Sequence, residues 1–334
     1  MQEEIKVKTT PVEELFNVLN ESADLLQQEL DCTYLEALAE TGENIFQQSI
    51  LQKVESEWTG KRLKKIYEGL HLELFSKEEI RKSFQLAILK GMKESVQPNH
   101  QMTPDSIGML FGYLLNKFMK QQSYRLLDPA VGTGNLLTAA MNQGMNKQIE
   151  GIGVDIDDLL IKLAYINANL QEYPIELFNQ DSLEHLFIEK VDAVISDLPV
   201  GYYPNDIRAA DYKLKADSGH SYSHHLFIEQ SIRHVKPGGY LFFLIPNGLF
   251  ESEQAKKLHQ FLKETVYIQG FMQLPKTLFK NKQNAKSILI LQMKGEQVKA
   301  PKQALLVNMP SLSNGPEMEK ILQKMDQWIK ENKG

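Results

Sequence analysis

Over the first hundred residues the apolar positions recur at helical spacing. VEELFNVLNESADLLQQEL (Val12–Leu30) and KSFQLAILKGM (Lys82–Met92) each carry an apolar stripe, with hardly a strand pattern between them. This predicts a helical region over residues 1–100. Ser76 and Glu79 make a capping box before one helix. QPNHQMTP (Gln97–Pro104) reads as a break, with Thr103 expected as the next cap and Pro104 as the first helical residue. From about Tyr124 the pattern changes to short apolar runs alternating with helices: YRLLD, EGIGVD, IELFN and VDAVISD, then GGYLFFLIP, ETVYIQGFMQL and KSILILQMK. Such alternation predicts an α/β fold, a mostly parallel, Rossmann-like sheet of seven strands with helices on both faces. The segment PEMEKILQKMDQWIKEN reads as an amphipathic helix or a loose tail within residues 301–334.

Composition narrows the class. The chain has 334 residues, 42% of them hydrophobic, ample for buried cores, and a formal charge of -6 that argues against nonspecific coating of nucleic acid or anionic membrane. Two basic runs are exceptions: GKRLKK (Gly60–Lys65) and the lysines Lys276, Lys280, Lys282 and Lys286, each read first as solvated surface. Cys32 is the only cysteine, so an intrachain disulfide or a CxxC motif is excluded, which fits a cytoplasmic chain. The start MQEEIKVKTTPVEEL has no apolar signal core, and YLFFLIPNGLF is too short to span a bilayer.

Ligands of a doubly wound sheet sit at the carboxyl ends of its strands. Here those ends are acidic: Asp128, Asp155, Asp181 and Asp197 follow four successive runs. Asp128 precedes a GxG turn, Gly132 and Gly134, which lets the backbone approach a ligand closely. Asp155 comes about 20 residues later, the position of a ribose-binding carboxylate, with a helix cap as the plain alternative. Asp181 is placed to accept from an adenine amino group. A dinucleotide would want a third glycine and a helix terminus free for its pyrophosphate. Crowded acids suit a cation instead, and S-adenosylmethionine, with its sulfonium, ammonium, ribose and adenine, matches them best. No metal site is expected.

DPAVGTGNLL, GVDID, QDSL and SDLP, preceded by MTPDSIG, resemble the successive motifs of adenine-specific DNA methyltransferases. The similarity is greatest to modification subunits of type I restriction systems and related stand-alone bacterial proteins, and it runs from about residue 76 to 298. The resemblance implies a class I methyltransferase domain over residues 101–300 and S-adenosylmethionine as cofactor. It places Met102, Thr103 and Pro104 at the methionine end of the cofactor. Asp128, Gly132 and Gly134 would line its amino-acid part, Asp155 its ribose, and Asp181 and Ser182 its adenine, with Pro129, Ala130, Thr133, Asn135, Ile156 and Asp197 as the remaining implied cofactor contacts.

Asp197, Leu198, Pro199 and Val200 then stand where that family has its NPPF catalytic loop. The loop's chemistry is positional: a side-chain oxygen and a backbone carbonyl take the two hydrogens of an adenine amino group, and an aromatic ring stacks on the flipped base. Asp197 keeps the acceptor, Leu198 keeps a carbonyl, and Val200 lacks the ring, which leaves Tyr202 or Tyr203 as candidate replacements. Three readings stay open: methyl transfer to an amino group of nucleic acid, transfer to another planar acceptor such as a protein amide, or a cofactor-binding relic serving as sensor or scaffold. By itself the chain is expected to bind nucleic acid weakly and without sequence preference. The helical region could dock a partner that supplies recognition, or cover one side of the cleft.

Overall fold

The structure, a computed structural model, describes residues 9–94, 102–144, 147–279 and 285–333. The amino-terminal octet, the Gln97–Gln101 part of the expected break, and Lys280 and Lys282 lie outside the described residues. Four helices come first: α1 (Pro11–Leu30), α2 (Tyr34–Gln47), α3 (Glu57–Glu68) and α4 (Lys77–Glu94). Thr10 and Thr33 start α1 and α2 with full capping boxes to Glu13 and Glu36, and Ser76 starts α4 in the same way with Glu79. The basic run Gly60–Lys65 lies in α3, where Lys61 pairs with Glu57, Arg62 with Glu21 and Lys64 with Glu68. It is a charge-paired surface rather than a basic face.

Next come α5 (Asp105–Phe118), β1 (Ser123–Asp128), α6 (Asn135–Asn142), β2 (Gln148–Asp155), α7 (Asp158–Leu170), β3 (Ile175–Asn179) and β4 (Val191–Asp197). The short α8 (Asp206–Ala209) and α9 (Ser223–His234) lead to β5 (Val235–Pro246), α10 (Ala255–Thr265), β6 (Val266–Gln273) and β7 (Lys286–Met293). The chain ends in β8 (Leu305–Asn308) and α11 (Gly315–Lys333). The strands form one sheet in the order β3-β2-β1-β4-β5-β7-β6-β8, parallel except for β7. The expected seven strands are therefore eight. β8 lies in the segment read as tail or helix; its four residues are too few to show a period, yet Leu305 and Val307 are buried while Leu306 is exposed. The α11 helix adds Met325 and Trp328 to the core beside Phe118.

The continuous apolar runs of the sequence have a simple cause: both faces of the sheet are covered, so alternate residues feed different cores. Along β5, Phe242 and Leu244 point into one core with Leu126, Ile195 and Ile290, whereas Leu241, Phe243 and Ile245 join Leu127, Val194 and Leu289 in the other. A third core is built by α1, α2 and α4 together with Leu163, Ile166 and Leu170 of α7. The amino-terminal helices thus share their apolar interior with a helix of the sheet layer.

One polar group ties these parts together. Arg81 of α4 has a fully buried side chain that donates to Glu78 at 2.7 and 2.8 Å, to Asp105 at the start of α5 (2.7 Å), and to Asn135 at the start of α6 (2.7 Å). Burial opposes its charge, but the Glu78 and Asp105 carboxylates more than offset this and raise its pKa. Removing one partner from a buried ion pair leaves the other charges uncompensated, which costs about 3–5 kcal/mol. Because Glu78 and Asp105 are about a third exposed, we expect Arg81→Met to cost about 3 kcal/mol, the lower end of that range, as measured by denaturant unfolding. Arg81→Lys, which keeps the charge but cannot serve three acceptors in a fixed fork, should fall between variant and wild type.

Candidate active site

The strand order reverses between β1 and β4, since β1 continues to β2 on one side and β4 to β5 on the other. No crossover covers the carboxyl ends there, and a crevice results. Asp128 ends β1, Asp155 ends β2 and Asp197 ends β4, so the three acids converge on this crevice by topology. A shallow pocket of about 300 Å³ between Asp192, Lys236, Tyr240 and Gln292 lies at the opposite, amino end of β4 and contains none of the expected site residues.

Asp128 is 1% exposed and accepts from the Ala130 N–H (3.0 Å) and the Ser196 hydroxyl (2.9 Å) on the same oxygen. Burial pushes its pKa up to about 7; the two hydrogen bonds counter this in part, and the charges of Asp155 and Asp197 add to it. The loop that follows is strongly tethered. Val131 N–H bonds to Val154 across the strands, the Pro129 carbonyl accepts from the Ser182 hydroxyl, and Thr133 accepts from Asn167 at 3.3 Å. Gly132 (φ 52°) and Gly134 (φ 74°) are both left-handed, which favours glycine. A Cβ on Gly132 would project into open space, the mark of a backbone left bare for a ligand.

Asp155 accepts from the Gly132 N–H (2.8 Å) and from Asp157 (3.1 Å). The α7 cap is Asp157, which accepts from Leu159 and Leu160, so the plain capping role of Asp155 is already taken by its neighbour. Beside it Ile156 is 70% exposed, an apolar surface at the crevice edge. Asp181 has both oxygens engaged, one by the Leu183 N–H at 2.9 Å and the other by the Tyr203 hydroxyl at 2.6 Å. Tyr203 is therefore a buried support of Asp181 and not an exposed ring: it is 6% exposed within the second core.

Thr103 departs from its expected capping role. Pro104 takes the cap position of α5 without a side-chain bond, and the Thr103 hydroxyl instead donates to Asp197 at 2.9 Å. Met102, just before it, packs on the third core. The other Asp197 oxygen is held by the ammonium of Lys286, the first residue of β7. Leu198 is 1% exposed, with its N–H bonded to the Leu244 carbonyl, so burial supplies the rigidity that a second proline would give. Val200 and Tyr202 are exposed, and Tyr202 stacks on Tyr222 with ring centroids 4.9 Å apart and planes 15° from parallel. Behind that stack His224 and His225 are buried, which pushes their pKa values down to about 3 and about 4 and keeps both neutral near pH 7.

Sequence reasoning missed Ser196, Tyr222 and Arg81, and it read Lys286 as surface. Only Ser196, adjacent to Asp197, stood inside a motif; the others arrive from distant segments. Among the described residues no group of three or more His, Cys, Asp or Glu could hold a metal, and no helix is long and apolar enough to cross a membrane.

The site can thus hold a cation beside Asp128, a diol at Asp155 and a flat group near Ile156, with a part-exposed acceptor at Asp197. Comparison with known proteins identifies the family. A family model described as N-6 DNA Methylase matches residues 96–331, and one described as the YtxK N-terminal helical domain matches residues 13–92. The uncharacterized protein YtxK of Bacillus subtilis (strain 168) is 52% identical over 321 residues, covering 96% of this chain and 98% of that protein. A crystal structure from Listeria monocytogenes, provisionally described as a class I S-adenosylmethionine-dependent methyltransferase, is 49% identical and superposes with a TM-score of 0.89 over 95% of this chain and 98% of that one. The methyltransferase subunit of a type I restriction-modification system from Streptococcus thermophilus shares the fold at 17% identity, with a TM-score of 0.65 over 95% of this chain and 74% of that one. The chain belongs to the N-6 DNA methylase family and is, by family and fold, an S-adenosylmethionine-dependent methyltransferase.

Proposed function

We propose that this protein methylates the exocyclic amino group of adenine in nucleic acid. The observation that carries this reading is Asp197, a part-exposed carboxylate ending the strand at the sheet reversal and followed by a buried leucine and a proline. Bound S-adenosylmethionine supplies an electrophilic methyl group. The lone pair of an adenine amino nitrogen is delocalised into the ring, so the protein's part is to draw the two amino hydrogens aside and point the lone pair into the crevice. Asp197 accepts a hydrogen bond from one and the Leu198 carbonyl from the other, and the proton that the methylated nitrogen must lose leaves to solvent past the part-exposed Asp197. Thr103, by donating to Asp197, keeps the carboxylate turned toward the crevice.

In place of the missing ring at Val200, Tyr202 is the candidate stacking surface, already held on one face by Tyr222. A base stacked on an aromatic ring gains about 1–3 kcal/mol. On the cofactor side Asp128 would hold the amino-acid end, Asp155 the ribose hydroxyls, and Ile156 one face of the adenine. A second reading, a cofactor-binding sensor without transfer, is supported by one observation: both Asp197 oxygens are engaged by protein donors. Transfer of labelled methyl to bulk DNA, RNA and protein separates the two, and the adenine reading expects N6-methyladenine in the product.

Asp197→Ala should abolish transfer while the Kd for S-adenosylhomocysteine stays within a few fold, because the interaction is made with the reacting group and not with the cofactor. Equal turnover by variant and wild type would place the chemistry elsewhere. Asp155→Ala should weaken S-adenosylhomocysteine binding about tenfold to a hundredfold, the loss of hydrogen bonds to a charged group. Unchanged affinity by calorimetry would remove Asp155 from the ribose.

Cofactor binding should also depend on pH through Asp128. With a folded pKa of about 7, well above its unfolded value of 3.8, this carboxyl stabilises the free protein fully only below its unfolded pKa. The contribution declines as pH climbs toward 7 and is lost above it. The ammonium of the cofactor's amino-acid end prefers the ionised form, so its binding at Asp128 releases a proton, and S-adenosylhomocysteine affinity should rise between about pH 6 and 8. Asp128→Asn should flatten that rise and eliminate proton uptake or release at pH 7, read by calorimetry in buffers of different ionisation enthalpy.

A further inference from the structure

We infer that Lys286 is a specificity-determining residue: with Asp197 it forms a donor–acceptor pair that reads the adenine amino group together with the ring nitrogen beside it. The inference rests on the adenine reading above and narrows it. Lys286 opens β7 and lies opposite Pro246 at the end of β5, while Asp197 ends β4 opposite Leu244. Two strand spacings, about 10 Å, separate the β4 and β7 backbones. To touch Asp197 the lysine must therefore lay its stem across the end of β5 and give up much of the rotamer freedom it would keep in solvent. The pair it makes stays accessible, with the side chains 22% and 18% exposed.

The hydrogen-bonding inventory shows what such a pair can read. An ammonium has three donors, and one of them satisfies Asp197. A carboxylate has about four lone-pair sites, of which Thr103 and Lys286 each fill one. An acceptor and a donor therefore remain side by side at the crevice. That order is the complement of an amino group flanked by a lone pair, which adenine presents as N6–H beside N1 or N7. A lysine or arginine side chain as methyl acceptor would present donors and positive charge only, and Lys286 would repel it.

The alternative is a lysine that merely orients Asp197. The two are separated by a double-mutant cycle. Random-sequence oligodeoxynucleotides carrying adenine, 1-deazaadenine or 7-deazaadenine are offered to wild type, Lys286→Met and Lys286→Arg, and kcat/KM is measured. Their Kd in the presence of S-adenosylhomocysteine gives a second readout, free of chemistry. We expect one analogue to lose about tenfold to a hundredfold with wild type, and Lys286→Met to lose as much on adenine but little more on that analogue. The other analogue should behave as adenine does, and Lys286→Arg should retain part of the preference. A loss in Lys286→Met that is equal on all three acceptors, or no loss, overturns the inference and leaves the adenine reading intact. Wild type that binds S-adenosylhomocysteine yet methylates no adenine acceptor overturns both. Should Lys286→Met lower the melting temperature, Lys286→Gln replaces it in the same cycle.

Discussion

Three carboxylates converge where the sheet reverses, and the need to compensate acids that are buried or crowded there is the constraint from which the rest of the site follows. Asp128, Asp155 and Asp197 end β1, β2 and β4; burial raises the pKa of the first, and the charges of the other two add to it. Each acid is given its own donors. Asp128 has the Ala130 N–H and the Ser196 hydroxyl, Asp155 the N–H groups of Gly132 and Asp157, and Asp197 the Thr103 hydroxyl and the Lys286 ammonium. The buried member, Asp128, is matched only by neutral donors, while the edge member, Asp197, is given a cation. A crowded anionic site of this kind is costly without ligand and favourable with a cationic one, which is why the charge pattern points to the cofactor before any motif does.

Donors can only compensate acids if the loops that carry them are fixed. The glycine loop is held from outside the sheet layer, by Arg81 on an amino-terminal helix reaching Asn135 and Asp105. Those two residues begin α6 and α5, and the latter follows directly on Thr103 and Pro104. One guanidinium therefore holds both the start of α5 and the start of α6, on either side of the crevice loops. This links the helical region to the crevice without a docking partner: α4 braces the segments that carry the Ala130 and Thr103 donors, one to Asp128 and one to Asp197.

How far this was legible follows from where the signal lies. Strand ends were readable because β1, β2 and β4 are largely buried and show as short, mainly apolar runs, each closed by an acid. Asp155 was distinguishable from a cap only in three dimensions, where Asp157 takes that role. Thr103 was misread because a threonine before a proline fits a cap equally well, and only the distant Asp197 decides between them. The β8 strand was too short to show alternation. Lys286 and Tyr222 carry no local mark at all: one is a lysine after a loop, the other a tyrosine before a helix, and each acquires meaning from a partner many residues away.

The altered loop then reads as a redistribution rather than a loss. A ring in the fourth position would serve stacking, which tolerates any base, whereas hydrogen bonds to an amino group and its neighbour discriminate. Here the ring is replaced by exposed Val200, and the Tyr202–Tyr222 pair outside the loop is the surface proposed for stacking. The second proline is replaced by Leu198, whose buried side chain and bond to Leu244 hold the backbone instead. What the loop gains is a cation on its acceptor. A site that binds less by area and more by paired polar groups gives up affinity for bases in general, because the partners it leaves unmet are charged and costly to desolvate. Under the proposed reading, the acceptor is set by the ammonium as much as by the acid.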